Sequence, residues 1–283
     1  MQKILAKITS YIELARPLNL LQGSISAIIS ALIMDSLPSL EKILIATGII
    51  VLFMAAGNSL NDYCDYKIDK INRPSRPIPS GRVKKTEALT LSCILFISST
   101  SLSTIIMNRR IFMIILITLI SLIGYSLLFK KLPIIGNIVV SFILGLAFIF
   151  STEVYGDYHK GIIPFFLTFF FTIAREIIKD MEDVEGDTKV GARTLPAILG
   201  LKKSSKIVTI VLTLLTITIF YPYFSNIYGI YYIVTIILFI LPAVIYTIVS
   251  INRNFSSKNC RKLQTLLKYD IFFGLIAIYV GKF

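Results

Sequence analysis

The chain has 283 residues, of which 55% are hydrophobic and 16% are charged, and its mean hydropathy is +0.78. This composition excludes an ordinary water-soluble domain, in which about 25% of the residues are charged. The formal net charge of +13 does not indicate nucleic-acid binding, because the basic residues concentrate on one side of the membrane topology that the apolar segments predict.

The apolar residues are grouped in blocks that are long enough to cross about 30 Å of hydrocarbon as helices. The blocks are residues 18–34, 40–60, 88–107, 111–129, 133–150, 162–178, 206–222, 229–250 and 264–281. We therefore predict a single-domain (1–283), all-α integral membrane protein with about nine transmembrane helices. Residues 1–17 carry apolar and basic side chains at helical spacing and no signal-cleavage pattern, which predicts a short helix in the membrane interface.

The positions of Lys and Arg predict the orientation of the chain. In a nine-helix topology, all but five of the 29 basic residues lie on the side of the N terminus. The exceptions are Lys42, Arg109, Arg110, Lys160 and Lys282. By the positive-inside rule, a multi-pass protein of the cell membrane with a cytoplasmic N terminus is expected. The cysteines have no metal-ligand spacing, so we expect free thiols.

Acidic residues concentrate in two segments, NDYCDYKID (61–69) and REIIKDMEDVEGD (175–187), which hold nine of the sixteen. Each contains an aspartate triplet with the spacing i, i+3, i+7, and the second triplet follows the first by 118 residues. The triplets are Asp62, Asp65 and Asp69, and Asp180, Asp183 and Asp187. This spacing predicts that each triplet lies on one face of a helix.

The two acidic segments follow the second and sixth apolar blocks, which run in the same direction through the membrane. A parallel internal repeat would therefore bring the two acidic faces together across one cavity. A single acid in mid-bilayer costs about 2.5–3.5 kcal/mol on insertion scales, so a cation must offset these charges. Oxygen ligands without His or Cys suit Mg²⁺, which bridges carboxylates to substrate phosphates. Solvated charges at helix ends are the alternative interpretation, which the repeated spacing disfavours.

Basic residues follow each acidic segment, in KINRPSRPIPSGRVKK (70–85) and TKVGARTLP (188–196). Such cations can hold the diphosphate oxygens that a metal ion leaves free, although the positive-inside rule alone explains part of the pattern. Our candidates for direct diphosphate contacts are Arg73, Arg76, Lys130 and Arg193. Segments 61–86 and 179–205 are thus predicted to be cytoplasmic active-site loops.

These motifs resemble those of the UbiA-type intramembrane prenyltransferases, and the resemblance covers nearly the whole chain. The family motif NxxxDxxxD matches residues 61–69, the motif DxxxD matches residues 183–187, and NRPxRPxxxG matches residues 72–81. The resemblance implies a helical bundle around a central cavity that opens laterally to lipid. It also implies Mg²⁺, a prenyl diphosphate, a lipophilic acceptor in the membrane and no obligate protein partner.

The resemblance also implies roles for single residues. The metal ligands would be Asn61, Asp65, Asp69, Asp183 and Asp187. Our own candidate for accepting the proton of the acceptor is Asp62 or Asp180, because each is adjacent to a set of these ligands. The allylic cation must be shielded from water, and Tyr63, Tyr125 and Phe129 are aromatic candidates for lining the cavity, with packing as their alternative role.

The sequences KDMEDVEGD, GARTLP and IPSGR are most similar to family members that transfer a geranylgeranyl group to geranylgeranylglyceryl phosphate and form an ether. Three alternatives remain open at this point. The acceptor could be an aromatic ring such as 4-hydroxybenzoate or a dihydroxynaphthoate, it could be haem, or the protein could be an ion-coupled transporter.

Overall fold

A computed structural model describes residues 2–189 and 191–283. Two residues lie outside the described ones: Met1, which is the first residue of the predicted interfacial segment, and Val190. The side chains of residues 2–4 and 131 are also outside the description. The regular secondary structure of the described residues is entirely helical. The helices are α1 (Gln2–Ala15), α2 (Pro17–Leu32), α3 (Leu40–Cys64), α4 (Tyr66–Asn72), α5 (Lys85–Ser103), α6 (Arg109–Leu127), α7 (Ile135–Tyr155), α8 (Ile162–Lys189), α9 (Leu195–Leu199), α10 (Leu201–Phe224), α11 (Ile230–Thr235), α12 (Leu241–Arg253) and α13 (Ser257–Val280).

Within the described residues, eight helical segments are long and apolar enough to cross a membrane. They are Leu40–Cys64, Lys85–Ile106, Arg109–Leu127, Ile135–Tyr155, Tyr158–Lys189, Leu201–Phe224, Ile230–Arg253 and Ser257–Val280. The remaining apolar block forms α2, which has 16 residues and is shorter than these spans. The predicted all-α membrane architecture is confirmed, whereas the count of nine stays a prediction.

Helix α8 lies at the centre of the bundle, where it packs against α7, α10 and α13. Its Ile177, Ile178 and Met181 are fully buried in the largest apolar cluster. On the outer helices, by contrast, large apolar side chains such as Ile97 and Ile217 are exposed by 67% and 65%. A belt of exposed apolar side chains is expected where a protein contacts lipid.

Helix α1 forms as predicted, with Leu14 buried against the bundle while Ile8 and Ile12 remain about half exposed. Between α1 and α2 the chain turns at Arg16, whose φ of 59° lies in the left-handed region. Asn58 of α3 supports this corner, because its Nδ2 donates to the carbonyl oxygen of Ala15 at 2.9 Å. The interfacial position of α1 stays a prediction.

The prediction that residues 61–86 and 179–205 are loops is wrong for most of their length. Residues 61–64 end α3, α4 follows directly, and the irregular part of the first segment begins near Arg73. Arg73 precedes Pro74, and the residue before a proline is disfavoured in helical conformation. In the second segment α8 continues to Lys189, because the acidic residues after the apolar block keep good helix-forming neighbours.

The first aspartate triplet is divided between two helices, which corrects the prediction of a single helical face. Asp65 has φ −82° and ψ 0° and separates α3 from α4. The backbone N–H of Asp65 still donates to Asn61, and that of Asp69 to Asp65, both at 2.8 Å. The second triplet lies entirely on α8, as predicted.

Candidate active site

The two acidic segments meet at one end of the bundle, as the predicted repeat requires. Asn72 at the end of α4 donates from Nδ2 to the carbonyl oxygen of Asp183 on α8, at 3.3 Å. Gly186 permits this approach, because a Cβ atom at that position would lie 2.1 Å from Oδ1 of Asn72. Both motifs therefore line one cleft. Its lining residues are Arg16, Asn61, Asp65, Ile68, Asp69, Arg73, Arg76, Lys130, Lys179, Asp180, Asp183, Asp187, Ala192 and Thr194.

Each aspartate of the first triplet is paired with a basic side chain. Lys130 Nζ donates to Asp65, and Arg76 Nη1 donates to both carboxylate oxygens of Asp69 at 2.7 and 2.9 Å. Asp62 accepts a hydrogen bond from Arg16. The three predicted diphosphate contacts Arg73, Arg76 and Lys130 thus lie in the cleft; Arg73 reaches Asp183 of the second triplet.

In these ion pairs, burial and the charge of the partner shift the pKa of each side chain in opposite directions. Asp65 and Asp69 are each only 4% exposed. Burial raises the pKa of the Asp69 carboxyl above its ordinary value, and Asp65 and Asp62 add to this rise, while Arg76 opposes it. For Lys130, burial lowers the pKa, but the charge of Asp65 and its hydrogen bond outweigh burial and raise the pKa overall. The buried carboxylates of the cleft are therefore stabilised by the cations that pair with them.

Two aspartates of the second triplet have neutral partners. Asn137 Nδ2 donates to Asp180 at 2.8 Å, and Thr194 Oγ1 donates to Asp187 at 3.1 Å. Neither carboxylate makes an ion pair with another described residue. These acceptor oxygens can therefore take a further cationic partner.

The donor chemistry of the cleft fits Mg²⁺, although the present geometry is not that of a closed metal site. Asn61, Asp65, Asp69, Asp183 and Asp187 all line the cleft, and the carboxylate oxygens together with the amide oxygen of Asn61 are the kind of ligands that Mg²⁺ prefers. Over the described ranges, no three acidic, His or Cys side chains converge closely enough to hold a metal ion.

Arg193, the fourth predicted diphosphate contact, is not brought into the cleft. Its side chain is exposed, whereas its neighbours Ala192 and Thr194 line the cleft. The spacing of TKVGARTLP could not reveal this, because the chain leaves α8 there and the backbone, not a helical face, decides which side chain points inward.

The charged residues of the site that the sequence-based candidates omit include Arg16 and Glu182. Arg16 binds Asp62. Glu182 has a side chain that is 1% exposed and accepts from Arg261 of α13 at 2.9 Å, and Arg73 lies 3.4 Å away. In the sequence, the only indication for Arg16 is its position directly before Pro17, the first residue of α2. Glu182 has no such signal, because it is one of several acidic residues in the segment 175–187 and directly precedes the DxxxD motif.

A cavity of about 420 Å³, lined mainly by apolar side chains but also by several basic ones, continues from the cleft between α2, α3, α6, α7, α8 and α13. Cleft and cavity share lining residues, among them Arg16, Asn61 and Arg73. Of the three aromatic candidates, Tyr125 lines the cavity. Tyr63 lies under Lys85, whose Nζ is 4.4 Å from its ring, and Phe129 packs against Gly124, so packing explains these two.

Comparison with known proteins identifies the family. The sequence model of the UbiA prenyltransferase family matches residues 24–273. The digeranylgeranylglyceryl phosphate synthase of Methanosphaera stadtmanae is 35% identical over 271 residues, covering 96% of this chain and 98% of that protein. The synthase of the same name from Methanosarcina mazei is 37% identical over 297 residues, covering 98% and 99%.

Solved structures agree with this assignment. A structure described as digeranylgeranylglyceryl phosphate synthase in membranes superposes with a TM-score of 0.76 at 33% identity and covers 98% of both chains. A UbiA homolog from Archaeoglobus fulgidus bound to GPP and Mg²⁺ gives a TM-score of 0.73 at 21% identity, covering 95% of this chain and 99% of that one, and shares the fold. The chain belongs to the UbiA prenyltransferase family.

Proposed function

We propose that this prenyltransferase is a digeranylgeranylglyceryl phosphate synthase, which transfers the geranylgeranyl group of geranylgeranyl diphosphate to geranylgeranylglyceryl phosphate. The observation that carries the proposal is the meeting of two aspartate sets across one cleft that opens into an apolar cavity of about 420 Å³. A polar cleft suits a diphosphate and an apolar cavity suits its prenyl tail. The name of relatives at 35–37% identity over nearly the whole chain supports this acceptor.

The donor diphosphate would be held through Mg²⁺ by Asn61, Asp65, Asp69, Asp183 and Asp187. The Archaeoglobus fulgidus homolog with GPP and Mg²⁺ supports this metal. When bound, Mg²⁺ would act as a Lewis acid that stabilises the charge of the departing diphosphate.

The basic residues of the cleft would then change partners. Arg73, Arg76 and Lys130 each bind one of the proposed metal ligands. A cation on those carboxylates would free the guanidinium and ammonium groups for diphosphate oxygens, and arginine is suited to bidentate contacts of this kind.

The reaction breaks the bond between the allylic C1 and the diphosphate oxygen and forms a bond from C1 to the glycerol hydroxyl oxygen. Diphosphate leaves with the bonding electron pair, and the hydroxyl proton passes to a base. Of the two candidates, Asp62 is already bound to Arg16 and lies 3.5 Å from Arg76, whereas Asp180 accepts from the neutral amide of Asn137. We therefore assign the proton acceptor to Asp180. Tyr125 and the apolar lining would exclude water from the allylic cation.

The protein is a multi-pass membrane protein, and we place it in the cell membrane with the cleft facing the cytoplasm. The cleft is lined by Arg16, Arg73, Arg76, Lys130 and Lys179, and it belongs to the side of the predicted topology that carries most of the basic residues. The positive-inside rule assigns such a side to the cytoplasm. Both prenyl substrates could then enter from lipid, with their headgroups at the polar end.

Prenylation of an aromatic acceptor or of haem would use the same donor site, so the acceptor decides among the enzymatic alternatives. An ion-coupled transporter is disfavoured, because the acids lie at the ends of α3 and α8 and not at their centres.

The proposal is tested with purified protein in detergent, labelled geranylgeranyl diphosphate and Mg²⁺. Geranylgeranylglyceryl phosphate, 4-hydroxybenzoate and a dihydroxynaphthoate are offered in parallel, with and without EDTA. We expect an ether product from the glycerol lipid alone, and its loss in EDTA. Labelling of an aromatic acceptor would contradict the acceptor assignment, and no transfer to any acceptor would contradict the enzymatic one.

A further inference from the structure

Three basic side chains in the apolar cavity are not used by the proposed donor site. Arg175 and Lys179 project from α8 and Lys268 from α13, and all three line the cavity of about 420 Å³. They differ from Arg16, Arg73 and Arg76, which line the same cavity but are bound to aspartates of the two motifs.

Arg175, Lys179 and Lys268 form a basic cluster whose charges are not balanced. Glu176 accepts from Arg175 Nη1 and from Lys179 Nζ, both at 2.9 Å. Lys268 makes no ion pair within the described part of the chain. Three cations and one carboxylate leave an excess of two positive charges in a partly buried place, where the side chains of Arg175 and Lys179 are 13% and 22% exposed. Unpaired charges away from water are costly, so this cluster is suited to an anion.

An unsatisfied donor points to the same conclusion independently. Nε of Arg175 is buried and has no hydrogen-bond partner among the described residues. Gln264 and Thr265, which precede Lys268 on α13, also line the cavity and can donate to an anion. Asp270 borders an adjoining cavity of about 150 Å³ that Arg175 also lines, but it makes no ion pair with the cluster. A group with several acceptor oxygens would satisfy Arg175 and the lysines together.

The position of the cluster separates it from the donor diphosphate. Arg175 precedes Asp183 by roughly two turns of α8, which corresponds to about 12 Å along the helix axis. Lys179 lies between them and lines both the cleft and the cavity. An anion at Arg175 and Lys268 would therefore be a second anionic group, deeper than the diphosphate, and Asp180 would lie between the two.

We infer that Arg175, Lys179 and Lys268 form a binding site for the phosphate group of the lipid acceptor. The inference rests on the proposed function for the identity of the acceptor. A phosphate monoester carries a charge of about −1.5 to −2 at neutral pH, which matches the excess of two positive charges, whereas the single carboxylate of an aromatic acid would leave one cation unpaired. The glycerol hydroxyl is joined to that phosphate by a short linker, so binding here presents it toward Asp180 and the cleft.

The test compares the unaltered protein with Lys268→Gln, Lys268→Arg and the control Lys258→Gln, which changes an exposed lysine of the same helix. The KM for geranylgeranylglyceryl phosphate should rise about tenfold or more in Lys268→Gln, because a hydrogen bond to a charged group is lost, while the KM for geranylgeranyl diphosphate stays within about twofold. Lys268→Arg should recover most of the affinity, and Lys258→Gln should behave like the unaltered protein. A rise in the donor KM instead would assign the cluster to the diphosphate and overturn the inference.

A binding measurement without donor separates this inference from the proposed function. Geranylgeranylglyceryl phosphate and the phosphate-free geranylgeranylglycerol are titrated onto the protein in detergent. The phosphorylated lipid should bind about tenfold more tightly, and this preference should disappear in Lys268→Gln. If the protein prenylates only an aromatic acceptor yet keeps this preference, the proposed function fails and the phosphate site stands. Ether formation that is unaffected by Lys268→Gln would leave the function intact and overturn the site.

Discussion

Arg73, which follows α4, donates from one guanidinium nitrogen to both carboxylate oxygens of Asp183 on α8, each at 3.2 Å. The contact joins Arg73 of the NRPxRPxxxG motif to Asp183 of the DxxxD motif, which are 110 residues apart in the sequence. The two motifs therefore form one site, in which Arg73, Arg76 and Lys130 pair with Asp183, Asp69 and Asp65.

Arg73 is expected to be required for binding the donor. Arg73→Gln should raise the KM for geranylgeranyl diphosphate and lower kcat/KM at least tenfold, since a charged donor to the diphosphate is lost. Arg73→Lys should recover only part of the activity, because lysine lacks the planar fork of arginine. The control is Arg253→Gln, which alters an exposed arginine at the end of α12. Full activity of Arg73→Gln would remove Arg73 from the donor site.

Asp183 is expected to be essential for turnover but not for folding. Asp183→Ala should lower activity at least a hundredfold, because a proposed metal ligand is lost. The protein should stay folded, since the Asp183 side chain is 20% exposed and Arg73 keeps Glu182 at 3.4 Å. Activity and thermal unfolding in detergent are measured side by side. Glu185→Ala, two residues further along α8 with an 81% exposed side chain, is the matched control and should retain activity. Retained activity in Asp183→Ala would contradict the metal assignment.

Gly186 is expected to set the distance between α4 and α8. In Gly186→Ala the new methyl group would collide with the Asn72 side chain and displace the hydrogen bond from Asn72 to Asp183. We expect a loss of activity of tenfold or more with little loss of stability, because alanine favours the helix by about 1 kcal/mol over glycine. Gly274→Ala is the control, since its nearest neighbour would be 3.8 Å away. Equal activities of the two variants would show that the approach at Gly186 tolerates a methyl group.

The sequence was sufficient to predict the helical membrane fold, because the length of an apolar block is a local property. The meeting of the two aspartate sets was predicted from the repeat of the acidic segments after two apolar blocks that run in the same direction. The sequence could not predict which charged side chains form ion pairs with one another. That Lys130 binds Asp65, or that Arg16 binds Asp62, depends on how α1, α3 and the segment after α6 pack together. The sequence also could not predict that Arg175 and Lys268 line the same cavity, because the packing of α8 against α13 is a property of the folded bundle.

Arg193 illustrates the same limit, since its position in the motif suggested a diphosphate contact that the structure does not support. The side chain is exposed outside the cleft. Arg193→Gln is therefore expected to keep kcat/KM for geranylgeranyl diphosphate within about threefold of the unaltered enzyme, less than one tenfold step of about 1.4 kcal/mol. Steady-state kinetics with varied donor concentration measure this effect. A loss of tenfold or more would mean that Arg193 enters the cleft when the donor binds.

The pair formed by Arg16 and Asp62 is expected to stabilise the corner between α1 and α2. Asp62 has a side chain that is 5% exposed, and without Arg16 its nearest cation would be Arg76 at 3.5 Å. Arg16→Gln should therefore lower the free energy of unfolding by about 1–3 kcal/mol, measured by chemical unfolding in detergent. In the double variant Arg16→Gln/Asp62→Asn most of this loss should be recovered, because no buried charge is left without its partner.

The control Arg82→Gln removes an exposed pair with Glu13 and should cost at most about 1 kcal/mol. If the double variant were as unstable as the sum of its single changes, the two side chains would not be coupled, and Arg16 would stabilise the corner through its backbone conformation alone.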